Sequence, residues 1–236
     1  MKKEPTLMGR FFDGLMQRTD ESLSFLFASL IILLFVVYPF FPKDGASAYL
    51  ANAFFSCVLI SSVLALPRGL KVLSLVLAGV AFILSWLTFA NPNPILFAIN
   101  MVVTICFLTF ATLGVLSRVL AQGRVTRHRV QGAMAIYLMV GLVFGLVYSG
   151  LFLLDTEAFN LTRSLEAGSL RSQYDRISSD FVYYSFVTLT TVGYGDITPA
   201  TTAAQQIAML EALFGQLYPA VLLARLVSLE LADGSR

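Results

Sequence analysis

The residues whose types and spacing point to a chemical role lie in one short stretch, Thr190 to Asp196. It reads Thr-Thr-Val-Gly-Tyr-Gly-Asp, so two glycines alternate with larger residues in an otherwise apolar part of the chain. Backbone that is neither helical nor part of a closed barrel lies at membrane depth only if it is buried in protein or lines a water-filled path. The stretch is therefore a candidate pathway across a membrane. Catalysis is not indicated, because the single histidine, His128, stands beside arginines and away from any nucleophile or metal-ligand set.

The segments on either side predict how this stretch is positioned. Residues 180–189 form a segment that reads as a helix too short to cross a membrane, and residues 200–231 form a long apolar run. Across the whole chain 57% of the residues are hydrophobic and only 13% are charged, which excludes an ordinary soluble protein. A transmembrane helix needs about 20 apolar residues. Six runs qualify: 23–41, 48–66, 70–90, 95–117, 132–154 and 200–231.

The basic residues predict the orientation of these six spans. If the spans alternate, most lysines and arginines outside them fall on one side, which the positive-inside rule identifies as cytoplasmic. The expected protein is thus a multi-pass protein of the cell membrane with cytoplasmic N and C termini. The residues on the predicted inner side are Lys2, Lys3, Arg10, Arg18, Arg68, Lys71, Arg118, Arg124, Arg127 and Arg129.

The run Thr191-Val192-Gly193-Tyr194-Gly195-Asp196 resembles the selectivity-filter signature of the tetrameric potassium channels. The first half of the chain is similar to that family only in its number of spans. The resemblance implies an all-α integral membrane fold with six transmembrane helices, a re-entrant pore helix and a filter loop, assembled as a tetrameric pore. The predicted parts are an interfacial amphipathic helix (1–20), a four-helix bundle (21–129) and a pore domain (130–236) with outer helix 130–154, extracellular loop 155–179, pore helix 180–190, filter 191–195 and inner helix 200–231.

The resemblance assigns potassium binding to the filter backbone. The carbonyl oxygens of Thr191, Val192, Gly193 and Tyr194, with the Thr191 hydroxyl, would form stacked rings of ligands when four chains meet at one axis. Consecutive carbonyls can point the same way only if alternate residues adopt conformations closed to residues with a Cβ atom, which predicts such conformations at Gly193 and Gly195. Val192 and Tyr194 are then expected to point outward and brace the loop.

The resemblance also assigns residues that support the filter. In the family, aromatic residues of the pore helix often hydrogen-bond the acid that follows the filter. Tyr183 and Tyr184 stand where tryptophans are common, and Asp196 follows the filter, so a hydrogen bond between Tyr183 and Asp196 is predicted. Thr190, which precedes the filter, is assigned to the same support.

Three residues of the predicted inner helix are unusual. Glu211 lies about 16 Å along it, a depth at which a charge is rare unless it is paired or near water. It is either a tether or pH-sensitive support behind the filter or a protonated structural carboxyl. Gly215 stands at the family's hinge position and Pro219 removes a helical hydrogen bond nearby, which predicts a bent helix. Close packing of Gly215 against the pore helix is the alternative. Gln216 is expected to face the cavity.

The fourth span does not read as a voltage sensor. Moving one charge through the field contributes about 2.3 kcal/mol per 100 mV, so a sensor needs several charges in the membrane. Residues 95–117 contain no arginine, whereas Arg118, Arg124, Arg127 and Arg129 follow the apolar run. They are interpreted as cytoplasmic anchors, with a displaced or short sensor as the alternative.

The sequence therefore predicts a homotetrameric potassium channel that conducts K⁺ passively, is not voltage-gated and is not an enzyme. Its expected partners are K⁺, membrane lipid and further copies of the same chain, without nucleic acid, and it needs no cofactor beyond the permeant ion. The alternatives are a weakly selective cation channel, a transporter and a non-conducting channel-like subunit. Cys57 and Cys106 lie in apolar spans and are expected to be small buried hydrophobic residues without a bridge.

Overall fold

The computed structural model describes residues 21–37, 46–121, 126–162 and 170–234. Nearly all of them are helical, as the composition predicts. The predicted interfacial helix, residues 1–20, lies outside the described residues. The elements in chain order are α1 (Glu21–Val37), α2 (Ala46–Ala65), α3 (Lys71–Ala90), α4 (Pro94–Val119), α5 (Arg127–Leu154), β1 (Phe159–Leu161), α6 (Leu170–Leu189), β2 (Ile197–Pro199) and α7 (Thr202–Gly234).

Four of the described helices are long and apolar enough to cross a membrane: α3, α4, α5 and the part of α7 from Thr202 to Arg225. The first two apolar segments, Glu21–Val37 and Tyr49–Ala65, are shorter in the described residues. The predicted run 23–41 continues beyond the residues that the structure describes. The architecture is thus an all-helical membrane protein with four supported spans, and the count of six stays a prediction.

Helices α1 to α5 share one apolar core, in which Leu26, Leu59, Phe107, Ala111 and Ile136 are fully or almost fully buried. The outer faces of these helices are apolar as well, which is typical of helices that face lipid. Two polar contacts brace the core. The hydroxyls of Ser29 on α1 and Ser61 on α2 are 3.0 Å apart, and the Arg118 guanidinium donates a hydrogen bond to the carbonyl of Ala65 at the end of α2.

Both cysteines lie on the outer faces of their helices. Cys57 on α2 and Cys106 on α4 are free, as expected, but they are exposed. The prediction that they are buried was wrong, because an apolar span has a lipid-facing side on which a small hydrophobic residue is equally stable.

The helix predicted as a pore helix is longer than the sequence indicates. Helix α6 begins at Leu170, not at residue 180, so much of the predicted loop 155–179 is helical. Residues 170–179 are mostly polar and resemble a loop in the sequence. The helix is held there by two apolar contacts: Ile177 is buried, and Tyr174 stacks on Phe97 of α4 with ring centroids 4.3 Å apart. The outer helix also begins slightly earlier than predicted, at Arg127.

A small antiparallel sheet joins the segments that follow α5 and the filter. Strands β1 and β2 pair with Phe159 opposite Pro199 and Leu161 opposite Ile197. The amide of Ala200 also donates to the carbonyl of Ala158, at 2.9 Å. This pairing was not predicted, because each strand has only three residues. It ties the segment that follows the loop 190–196 to the segment that follows α5.

Candidate functional site

The loop between α6 and β2 has an alternating backbone conformation. Thr191, Gly193 and Gly195 have φ angles of 59°, 58° and 81°, and the two residues between them have no positive φ. The expected conformations at Gly193 and Gly195 are therefore present. Thr191 is the one non-glycine residue with positive φ in the described part of the chain, and such a conformation is strained for a β-branched residue. Alternation of this kind turns successive carbonyl groups toward the same side of the chain.

The inner end of the loop is fastened by hydrogen bonds to α6 and α7. The amides of Thr191 and Val192 donate to the carbonyls of Thr188 and Val187, both at 2.9 Å. The side chain of Gln216 on α7 donates from Nε2 to the Thr191 hydroxyl, at 3.0 Å. Sequence reasoning expected Gln216 to face the cavity and missed this contact with Thr191, because the sequence does not determine the rotation of α7.

The end of α6 is held by close packing against α7. A Cβ atom on Gly215 would lie 2.0 Å from the carbonyl oxygen of Leu189, so only glycine fits there. The same oxygen accepts a hydrogen bond from the Tyr137 hydroxyl of α5, at 3.0 Å. This contact corresponds to the packing alternative for Gly215. Pro219 lies within the continuous helix α7, and because proline has no amide hydrogen, the Gly215 carbonyl lacks its helical hydrogen bond. A hinge at Gly215 and Pro219 stays a prediction.

The end of the loop at Asp196 is fastened to Thr162, the residue directly after β1. The carbonyl of Asp196 accepts hydrogen bonds from the Thr162 amide and hydroxyl, at 3.1 and 2.8 Å. Tyr184 is buried and packs edge-on against Tyr148, with ring centroids 5.0 Å apart, whereas Tyr183 is 42% exposed. The hydrogen bond between Tyr183 and the Asp196 carboxylate stays a prediction. Thr190 donates from its hydroxyl to the carbonyl of Phe186, at 2.6 Å, which closes the last turn of α6.

Glu211 joins three helices behind the loop. It is completely buried, and its carboxyl group accepts hydrogen bonds from the Tyr148 hydroxyl of α5, at 2.7 Å, and from the Ser185 hydroxyl of α6. The Ser185 oxygen also lies 2.7 Å from the Gly141 carbonyl of α5. Helices α5, α6 and α7 thus meet at one carboxyl group, and a role of Glu211 as a tether behind the loop stays a prediction. A pH-sensitive role for Glu211 stays a prediction.

We expect Tyr148→Phe to destabilise this junction without changing its shape. The substitution removes one hydroxyl and leaves a buried carboxyl group with one partner fewer, at a cost of about 1–3 kcal/mol. Thermal unfolding of the purified protein in nanodiscs should therefore shift to lower temperature. Tyr49→Phe is the matched control, because the Tyr49 ring is 57% exposed on α2. Equal unfolding temperatures for the two variants would contradict a supporting role for the junction.

No metal centre accompanies the loop in the described ranges. Within residues 21–37, 46–121, 126–162 and 170–234, no group of three or more His, Cys, Asp or Glu side chains is placed to hold a metal ion.

Comparison with known proteins bears on the region that contains this loop. Residues 136–230 match a family model described as "Ion channel". The matched ion-channel region contains most of α5, all of α6 and the loop, and most of α7. The match supports a role in passive ion transport for this part of the chain.

One curated relative matches a shorter stretch. Protein LctB of Geobacillus stearothermophilus is 37% identical over 84 residues, which cover 36% of this chain and 59% of that protein. The chain thus spans less than two thirds of the length of this relative. No solved structure gave a significant match. The family match covers residues 136–230 and leaves the part of the chain before them to be interpreted from its own structure.

Proposed function

We propose that four copies of this chain form a potassium-selective channel, through which K⁺ crosses the cell membrane passively along residues 191–195. The principal supporting observation is the alternating conformation of the loop, with positive φ at Thr191, Gly193 and Gly195. In this conformation a short segment offers several carbonyl oxygens on one side. A chain of ordinary extended backbone would direct them alternately to both sides.

Potassium selectivity follows from the nature of these ligands. Carbonyl oxygens of Thr191, Val192, Gly193 and Tyr194 replace the water around the ion, and no charged side chain holds it so tightly that conduction stops. The Thr191 hydroxyl has two acceptor lone pairs, of which one receives the hydrogen bond from Gln216. The second remains for an ion at the inner end of the filter. Glu211, Tyr184, Thr190 and Asp196 position the loop without binding the ion.

Two features favour a homotetramer. A single chain contributes one loop, so a closed path along its carbonyl groups requires several copies around an axis. The side chains of Val192 and Tyr194 are 53% and 71% exposed in one subunit. An exposed tyrosine ring beside a strained loop is expected to be covered by neighbouring subunits. Exposed Leu213 and Leu217 on α7 offer further apolar area for the same contact.

The structure of α4 favours a channel that is not voltage-gated. Its one basic residue in the last turn is Arg118, which donates to the carbonyl of Ala65 and so anchors the end of α2. Arg129 on α5 donates to the carbonyl of Ala121, at 2.9 Å, and fixes the connection between α4 and α5 in a similar way. Arginines engaged with helix ends are poorly placed to move through a membrane field. We place these ends, and both termini of the chain, on the cytoplasmic side.

Electrical recording tests the proposed function. Purified protein in planar bilayers, with potassium and sodium mixed in opposite ratios on the two sides, should give unitary currents that reverse near the potassium equilibrium potential. Reversal near zero would identify a weakly selective cation channel. Saturating flux without unitary currents would identify a transporter, and an assembled protein without flux would identify a non-conducting subunit. Each of these three results would contradict the proposal.

A further inference from the structure

The junction at Glu211 contains one hydrogen-bonding contact more than its two hydroxyl groups can serve. The Tyr148 hydroxyl lies 2.7 Å from Oε2 of Glu211, and the Ser185 hydroxyl contacts Oε1. The Ser185 oxygen also lies 2.7 Å from the carbonyl oxygen of Gly141. Three such contacts need three protons, and each hydroxyl group carries one. One Ser185 proton cannot point at both acceptors, because hydrogen bonds weaken steeply when the donor angle is bent.

The source of the third proton is limited by the burial of the junction. Glu211, Ser185 and Tyr148 are each 0% exposed, so water does not reach them. Helices α5 and α6 approach so closely here that a Cβ atom on Gly145 would lie 2.8 Å from the Cα atom of Val182. A backbone carbonyl has no proton to donate. The remaining carrier of the third proton is the carboxyl group of Glu211.

The charges around Glu211 favour the same assignment. In the part of the chain that the structure describes, the titratable groups that face it are phenols: Tyr137 and Tyr148 of α5 and Tyr184 of α6. A phenol is neutral at physiological pH. No lysine or arginine in that part of the chain forms an ion pair with Glu211. A charged carboxylate would thus be buried in a membrane helix without a partner of opposite sign, which is strongly unfavourable.

We propose that the junction is a proton-binding site, in which a neutral Glu211 donates from Oε1 to Ser185 and Ser185 donates to the Gly141 carbonyl. The Oε2 atom of Glu211 accepts from Tyr148. The contact between Ser185 and Glu211 has the same geometry whichever of its two oxygens carries the proton. All three contacts are then satisfied, and the hydrogen bonds run without a break from α7 through α6 to α5.

Loss of this proton would break one of the three contacts. The Ser185 hydroxyl would turn to the ionised Glu211, and the Gly141 oxygen would face the Ser185 oxygen at 2.7 Å without a proton between them. Two such oxygens repel each other, so α5 and α6 should separate at this point. Helix α6 ends at Leu189 and leads directly into the loop 190–196. The proton thus holds the helix before the loop against α5.

Infrared spectroscopy of the full chain in maltoside detergent tests for the proton directly. A protonated carboxyl group has a carbonyl stretching band that is separate from the bands of carboxylates and amides. The wild type at neutral pH should show this band, and Glu211→Gln should lose it. Glu157→Gln is the matched control, because Glu157 is an exposed glutamate just after α5, and this variant should keep the band. Ser185→Ala should shift the band, since the carboxyl proton loses its acceptor.

The pH dependence of stability provides a second test. The folded chain keeps the proton on Glu211, whereas the unfolded chain releases it at mildly acidic pH, so the folded state binds one proton more in the range between. The unfolding equilibrium constant should therefore rise up to about tenfold per subunit for each pH unit above about pH 5, until the folded protein loses the infrared band. Unfolding by SDS in mixed micelles measures this slope. Glu211→Gln should lack this part of the slope, and Glu157→Gln should retain it.

Glu211→Gln should fold and assemble like the wild type, because the amide reproduces the neutral acid. Its Nε2 donates to Ser185 and its Oε1 accepts from Tyr148. A wild type without the carboxyl band at neutral pH, or a band that survives Glu211→Gln, would overturn the proposal. Equal pH slopes in the two glutamine variants, an unshifted band in Ser185→Ala, or a Glu211→Gln variant that does not fold would also overturn it. None of these measurements involves ion flux, so their outcome is independent of the proposed function.

Discussion

Gly193→Ala is expected to abolish potassium currents. Gly193 has a φ of 58°, and its position has open space around it in one subunit, so the obstacle is the backbone conformation and not a clash. A left-handed conformation costs a residue with a Cβ atom about 1–2 kcal/mol, which amounts to about 4–8 kcal/mol over four subunits. The loop should therefore leave the alternating conformation, and potassium flux into liposomes should fall at least tenfold.

The matched control for this prediction is Gly69→Ala. Gly69 also has open space around it, but its φ is not positive, and it lies in the turn between α2 and α3. This control should keep wild-type flux. Size-exclusion chromatography should show the same assembly for both variants, so that loss of flux in Gly193→Ala reflects the loop alone. Potassium currents of wild-type size in the Gly193 variant would contradict the role of this conformation.

Gly215→Ala is expected to have the largest effect on folding. The added methyl group would lie 2.0 Å from the Leu189 oxygen and 2.9 Å from its carbonyl carbon, which is backbone and cannot rotate away. The same oxygen also accepts a hydrogen bond from the Tyr137 hydroxyl. We expect the free energy of unfolding to fall by about 3 kcal/mol or more, which is the upper end of the range for an overpacked core. The thermal unfolding temperature should fall accordingly.

Gly79→Ala is the control for this substitution, because a Cβ atom on Gly79 of α3 would meet nothing within 4 Å. That variant should be as stable as the wild type or slightly more stable, since alanine favours helices more than glycine does. The experiment also separates the two interpretations of Gly215. An unchanged unfolding temperature with an altered open probability would favour a hinge and contradict the packing interpretation.

The sequence predicted the elements whose boundaries are set by local chemistry. The run 70–90 corresponds to Lys71–Ala90, and 95–117 corresponds to Pro94–Val119, because prolines and asparagines interrupt the apolar residues between them. The conformations of Gly193 and Gly195 were predictable because the family motif requires a backbone that only glycine adopts easily. In each case the signal lies within a few residues of the feature.

Features that depend on distant residues were not predictable in the same way. Residues 170–179 look like a loop in the sequence because most of their side chains are polar. They are nevertheless helical, and Tyr174 among them stacks on Phe97 of α4. Glu211 was recognised as unusual, but its partners Tyr148 and Ser185 lie 63 and 26 residues away in the chain. The contact of Gln216 with Thr191 required knowledge of how α7 is rotated. Hydrophobic periodicity alone does not determine that rotation.

The hydrogen bond from Gln216 to Thr191 has a mechanical consequence. One end of the filter loop is anchored to β1 through Thr162, while the other end is attached to α7 by a bond of only 3.0 Å. A shift of α7 along its axis by a single residue, about 1.5 Å, would be enough to stretch that bond past its useful length. A small displacement of α7 is therefore expected to reach the backbone at Thr191 through the side-chain amide of Gln216.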